Sequence, residues 1–125
     1  MSKSYYMLTE STSLFNVLDE CIYMPFYLGN VLKYVVRAPR KHTYQIDDLT
    51  KALEYLEHAR TSDGRVRHDT LKALIKMRAI IKAPDCLLET WQKTAAVQIL
   101  AQDYAGAAET IQTQLRAVIN TETHV

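Results

Sequence analysis

Apolar residues recur at spacings of three and four through nearly the whole of this chain, and nowhere do they alternate at period two for long enough to make a strand. Only three glycines and three prolines interrupt the pattern, so the stretches between breakers are long enough for helices. The expectation is an all-α fold, a compact bundle of about six helices arranged as antiparallel hairpins. At 125 residues, with 48% of them hydrophobic and 23% charged, the chain has the size and balance of one packed domain rather than of a disordered segment. A single helical domain over residues 1–125 is therefore expected.

The breakers set the expected elements. Residues 1–9 read as an extended, loosely held arm whose Tyr5, Tyr6, Met7 and Leu8 can dock on a neighbour. A first helix is expected from a cap among Ser11, Thr12 and Ser13, running from Leu14 to Ile22 with Val17, Leu18 and Cys21 on its apolar face. Pro25 separates it from a second helix, Phe26 to Ala38, which Pro39 ends because proline has no amide hydrogen to continue a helix. A third starts near Gln45, with Asp47 and Asp48 in the first turn, where the helix dipole favours negative charge. Ile46, Leu49, Leu53 and Leu56 form its stripe. Ser62-Asp63-Gly64 reads as a loop. A fourth helix is expected over His68 to Lys82, a fifth over Cys86 to Ala101 capped by Asp85, and a sixth over Tyr104 to Ile119.

On the second helix, Asn30, Lys33 or Tyr34, and Arg37 fall three and four apart, so they share a face, while Leu28, Val31, Leu32 and Val35 turn away. On the third, Asp48, Lys51 and Tyr55 do the same. A short connection makes the two helices antiparallel neighbours, so amide, ammonium, guanidinium and phenol groups can converge on an anion. Lys33, Arg37 and Lys51 would neutralise phosphate oxygens, Tyr34 or Tyr55 would stack on a base, and Asn30 would read its edge. Arg40 and Lys41, with His42, add cations in the turn between the helices and are further candidates for phosphate contact. The plainer alternative is a solvated face in which Arg37 pairs with Asp48, and Lys51 with Glu54 or Asp47.

The same residues carry a resemblance. The pattern Gly29-Asn30-x-x-Lys33-Tyr34-x-x-Arg37-Ala38, a basic turn, then Asp48-Leu49-x-Lys51-Ala52-x-x-Tyr55-Leu56 resembles the small phage-encoded SaV-like nucleotide kinase family, and covers about residues 14–60. Tyr5-Tyr6 stands where the family often has His-Tyr, and Pro39 where it usually has glycine. Residues 61–125 add helices outside the resemblance. It implies a nucleotide or related phosphate ligand on the face of the second and third helices, and activity like that of a nucleoside monophosphate kinase. The rival expectation is a phage-encoded interaction factor that occupies and inhibits a host enzyme or anti-phage defence complex. A third is a homo-oligomer built on the alanine-rich faces of the fifth and sixth helices, with Gly106 permitting close approach and the tyrosine-rich arm reaching a neighbour.

No catalytic residue can be assigned from the sequence. No glycine-rich phosphate loop is present, so a kinase built on this chain would rely on side-chain cations. Glu54 with Glu57 is one carboxylate pair at helical spacing, but the second Glu-x-x-Asp pair that a magnesium site would need is missing, and the histidines lack zinc spacing. No metal and no cofactor other than a nucleotide is expected. Residues 31–82 carry a net charge of +6, whereas residues 83–125 carry −3, so anionic ligands are favoured by the middle of the chain. The basic run Arg60, Arg65, Arg67, Lys72, Lys76 and Arg78 lacks any nucleic-acid-binding motif and reads as a solvated face. Cys21 and Cys86 are expected to be buried free thiols. No apolar run reaches the roughly 18 residues of a membrane span, and no basic-then-apolar leader opens the chain. A cytoplasmic location is expected, that of the host cell if the chain is phage-encoded.

Overall fold

A computed structural model of the chain describes residues 3–21, 26–40, 45–62 and 70–123. Among them are six α-helices: α1 (Leu14–Leu18), α2 (Phe26–Arg37), α3 (Gln45–Ser62), α4 (Leu71–Ile81), α5 (Thr90–Leu100) and α6 (Tyr104–Thr123). Short 3-10 turns precede α1 at Lys3–Tyr6 and follow α2 at Ala38–Arg40. The described residues contain no strand beyond an isolated bridge between Met7 and Ser13, and the fold is all-α.

Four helices close a ring in which α2 meets α3 and α5, and α6 meets α3 and α5. The apolar faces of this ring feed one core. Leu28, Val31, Leu32, Val35 and Val36 from α2 meet Leu49, Ala52, Leu56 and Ala59 from α3 and Ile99, Leu100 and Ile111 from α5 and α6. Helix α4 lies against α5, and α1 touches both α2 and α4. On α4 only Ala73, Leu74, Met77 and Ile80 are buried, leaving Leu71 and Ile75 more than half exposed.

The N-terminal segment is a strap rather than a loose arm. Tyr6 and Leu8 are buried in the core. The Leu8 amide donates to the Thr12 carbonyl, and the Leu87 amide donates to the Leu8 carbonyl at 2.8 Å. That last bond also explains why α5 begins at Thr90 instead of Cys86, since the backbone ahead of it is held by the strap. Asp85 is accordingly not the cap of α5, and its carboxylate accepts the Glu10 amide. Helix α1 ends at Leu18, where the Glu20 and Cys21 amides turn back to the carbonyls three residues earlier and tighten the last turn.

Gln92 solves a problem that Pro39 creates. The Val35 carbonyl on the last turn of α2 would be served by the amide of residue 39, and proline has none. Buried at 1% exposure, the Gln92 side chain donates from Nε2 to both the Val35 and Val36 carbonyls at 3.0 Å, while its Oε1 accepts the Glu89 amide at 2.7 Å. One side chain therefore satisfies the end of α2 and the start of α5.

Some of the small residues of α5 and α6 are used inside the chain. Ala95, Ala96 and Ala107 are fully buried, and the Gly106 amide donates to Asp103 Oδ1 at 3.0 Å, with Asp103 preceding the first residue of α6. A Cβ at Gly106 would collide with that carboxylate. Part of the alanine faces that suggested self-association is thus taken up by packing within the chain, while Ala101, Ala105 and Ala117 stay exposed. Cys21 and Cys86 form no disulfide and are partly buried, not fully enclosed as expected.

Candidate functional site

Contacts between α2 and α3 run in opposite order along the two helices: Arg37 meets Asp48, Tyr34 meets Tyr55, and Tyr27 meets His58. The pair is therefore antiparallel, and it brings most of the candidate face together, though not as one cluster.

Arg37 and Asp48 are spent on each other. Arg37 Nε donates to Asp48 Oδ2 at 3.1 Å and NH2 to Oδ1 at 2.8 Å, while NH1 points to the Tyr6 hydroxyl at 3.4 Å. Asp48 is buried, with a side chain only 2% exposed against 15% for Arg37. The hydrogen bond to Asp48 holds the Arg37 pKa above its ordinary value, against the opposing effect of burial. The expectation that Arg37 offers two donors to a phosphate does not survive this geometry, because the fork that would do so already holds a carboxylate. Asp48 is a clamp residue, not a ligand group.

Tyr34 is the centre of what remains. Its ring stacks on Tyr55 with centroids 5.9 Å apart and planes inclined by 18°. Lys33 Nζ, Arg37 Cζ and Lys51 Nζ stand 5.9, 5.0 and 5.8 Å from its centroid, within the range where a cation is drawn to a π face. Neither lysine has a carboxylate partner among the described residues, so the pairing of Lys51 with Glu54 or Asp47 is not made. Beside Tyr34, Tyr55 and Lys51 opens a hollow of about 670 Å³ whose other walls are Phe26, Tyr27, Glu54 and His58. The sequence reading missed these four wall residues. Their signal is helical spacing, since Tyr27 precedes Tyr34 by two turns and His58 follows Tyr55 by three residues.

Asn30 lies on the other side of α2. With Lys33 and Phe26 it borders a second hollow of about 430 Å³ between α1 and α2. Phe26, 78% exposed, stands between the two hollows and lines both. Arg40 lines neither; its NH1 donates to the Tyr5 carbonyl at 3.1 Å, and burial lowers its pKa. It fastens the strap rather than reaching a ligand on α2 and α3. Lys41 and His42 lie outside the described residues.

Among the described residues no group of three or more His, Cys, Asp or Glu side chains could hold a metal. Glu57 of the Glu54/Glu57 pair is engaged by Arg60. No described helix is long and apolar enough to cross a membrane.

Fold and site together define an all-helical protein with a tyrosine-lined hollow, bordered by Lys51 and Glu54, between two antiparallel helices. A family model described as a protein of unknown function (DUF3310) matches residues 6–57. That span includes the strap from Tyr6 onward, α1, α2 and most of α3, the elements that build both hollows, and leaves out α4 to α6. No curated protein matches the chain, and no solved structure matches it.

Proposed function

We propose that the chain binds a nucleotide or related phosphate ligand in the hollow between α2 and α3. The observation that carries this reading is Lys51, which lines that hollow, stands 5.8 Å from the Tyr34 ring centroid and has no carboxylate partner among the described residues. The volume of the hollow falls in the range of about 300–1,000 Å³ usual for small-molecule sites. The exposed Lys51 ammonium supplies charge for phosphate oxygens, and the faces of Tyr55 and Phe26 offer stacking surfaces for a base. Arg37 serves by fixing Tyr34 beneath it, with Asp48 holding the guanidinium still. The resemblance of residues 14–60 to the SaV-like nucleotide kinases points to the same ligand class, and kinase-like phosphoryl transfer would be the corresponding activity. Titration calorimetry at low salt with nucleoside mono- and triphosphates tests the reading. Binding that falls about tenfold in Lys51→Ala is the expected result, and no heat with any nucleotide would end it.

A second reading, an interaction factor that occupies a host protein, is favoured by the exposed rings of Phe26 and Phe15, which border the same hollow and form an apolar patch rather than a lone exposed side chain. Stoichiometric co-purification of a host protein that is lost on Phe26→Ser would favour it.

A further inference from the structure

The hollow between α1 and α2 contains a glycine that the fold does not need. Gly29 sits within α2, where glycine costs roughly 0.5–1 kcal/mol relative to alanine. No left-handed backbone angle requires it, and a Cβ built on it meets nothing within 4 Å. In a close-packed protein a small residue in a helix usually makes room for a neighbour, as Gly106 does for Asp103. Gly29 makes room for no neighbour among the described residues. It leaves open the floor of a hollow of about 430 Å³ whose walls include Leu14, Phe15, Leu18 and Phe26.

The walls are apolar and one rim is charged. Lys33 stands one turn beyond Gly29 on the same side of α2, lines this hollow, and has no carboxylate partner among the described residues. An apolar cavity with a single uncompensated cation at its edge suits a molecule with an apolar body and one negative end. The body recovers the free energy of wetted leucine and phenylalanine surface, and the anion meets an ammonium that has no carboxylate partner to give up among the described residues. A phosphate-rich polar ligand fits the aromatic hollow between α2 and α3 better than this one. We propose that the hollow between α1 and α2 is a second binding site, for a small amphiphilic organic acid such as an aryl or short alkyl carboxylate, with Gly29 as its open floor and Lys33 as its anion contact.

The probes are 1-anilinonaphthalene-8-sulfonate, followed by fluorescence, and 2-naphthoate with its neutral isostere 2-naphthamide as competitors on the full chain. Gly29→Leu is the decisive variant, because its side chain enters empty space and replaces a poor helix former with a good one. Expected are dye binding by wild type, displacement by naphthoate at about tenfold lower concentration than by naphthamide, and loss of dye binding in Gly29→Leu with the melting temperature unchanged or raised. Lys33→Met should keep the dye site and lose the preference for naphthoate. The proposal is overturned if wild type binds no dye, if Gly29→Leu binds it as wild type does, or if naphthamide competes as well as naphthoate. Nucleotide binding between α2 and α3, measured on Gly29→Leu, should persist, so failure of this second site leaves the first reading standing.

Discussion

Arg37 and Asp48 close a two-pronged ion pair across the corner between α2 and α3, with the shorter bond at 2.8 Å. Arginine at the last turn of one helix and aspartate in the first turn of the next each also face the favourable end of a helix dipole. Removing one partner strands the other: a carboxylate buried to 2% exposure has no water to turn to. Asp48→Ala and Arg37→Met should each lower the unfolding free energy by about 3 kcal/mol in urea titrations. The double variant Arg37→Met/Asp48→Ala should lose clearly less than the sum of the two singles. An additive result would mean that the two side chains act independently.

The pH dependence of that pair has a definite sign. Arg37 has a raised folded pKa, so its contribution is complete below the ordinary arginine range and is lost only as pH rises through the folded value. The stability difference between wild type and Arg37→Met should therefore stay constant between pH 7 and pH 9. A difference that shrinks over this interval would show that the guanidinium is not what the variant removes.

Gln92 links two helix ends that have no other connection in sequence. Gln92→Leu keeps the volume but strands the Val35 and Val36 carbonyls and the Glu89 amide, and should cost about 2–3 kcal/mol. Hydrogen exchange should localise part of the loss, with the Glu89 amide losing protection. Stability equal to wild type would mean that water takes over the three bonds.

Gln102 holds a positive φ of 63° in the α5–α6 turn, a conformation glycine adopts without strain. Its side-chain bond to Thr70 Oγ1 is long, at 3.5 Å, so little is lost with it. Gln102→Gly should be neutral or stabilising by up to about 1 kcal/mol, read as a higher thermal midpoint. A clear fall in the midpoint would assign the side chain a structural part that its geometry does not suggest.

At the α2–α3 hollow, a ligand held by an exposed lysine must be sensitive to salt. Any nucleotide affinity should weaken as ionic strength rises, because Lys51 is open to solvent ions. Tyr55→Ala should lower affinity without changing that salt slope, since it removes a stacking face and no charge. A slope that drops with Tyr55→Ala would mean that the ring acts by placing Lys51, not by contact with the base.

Helix content was legible because it is a local property. Spacings of three and four and Pro39 mark α2, α3 and the long helices beyond with little tertiary help, while the expected breaks at Pro25 and Asp63-Gly64 lie outside the described residues. The candidate face was half legible for the same reason: helical spacing puts Lys33 or Tyr34 on one face with Arg37, and Tyr55 beside Lys51. Whether a cation is available or spent depends on a partner across the fold. Arg37 and Lys51 look alike in sequence, each with a carboxylate within reach, yet Asp48 takes the first and Glu54 leaves the second alone.

What the chain's own order of residues determined, then, is an all-helical molecule with a basic middle and two polar helix faces, because period and charge are written residue by residue. Tertiary structure alone decided that the N-terminus is a buried strap, that Gln92 replaces the hydrogen-bond donor missing at Pro39, and that one expected site divides into an ion pair, an aromatic hollow and an apolar groove. Those outcomes depend on distances between residues far apart in the chain, where burial raises the cost of an unmatched polar group and so selects which pairs must form.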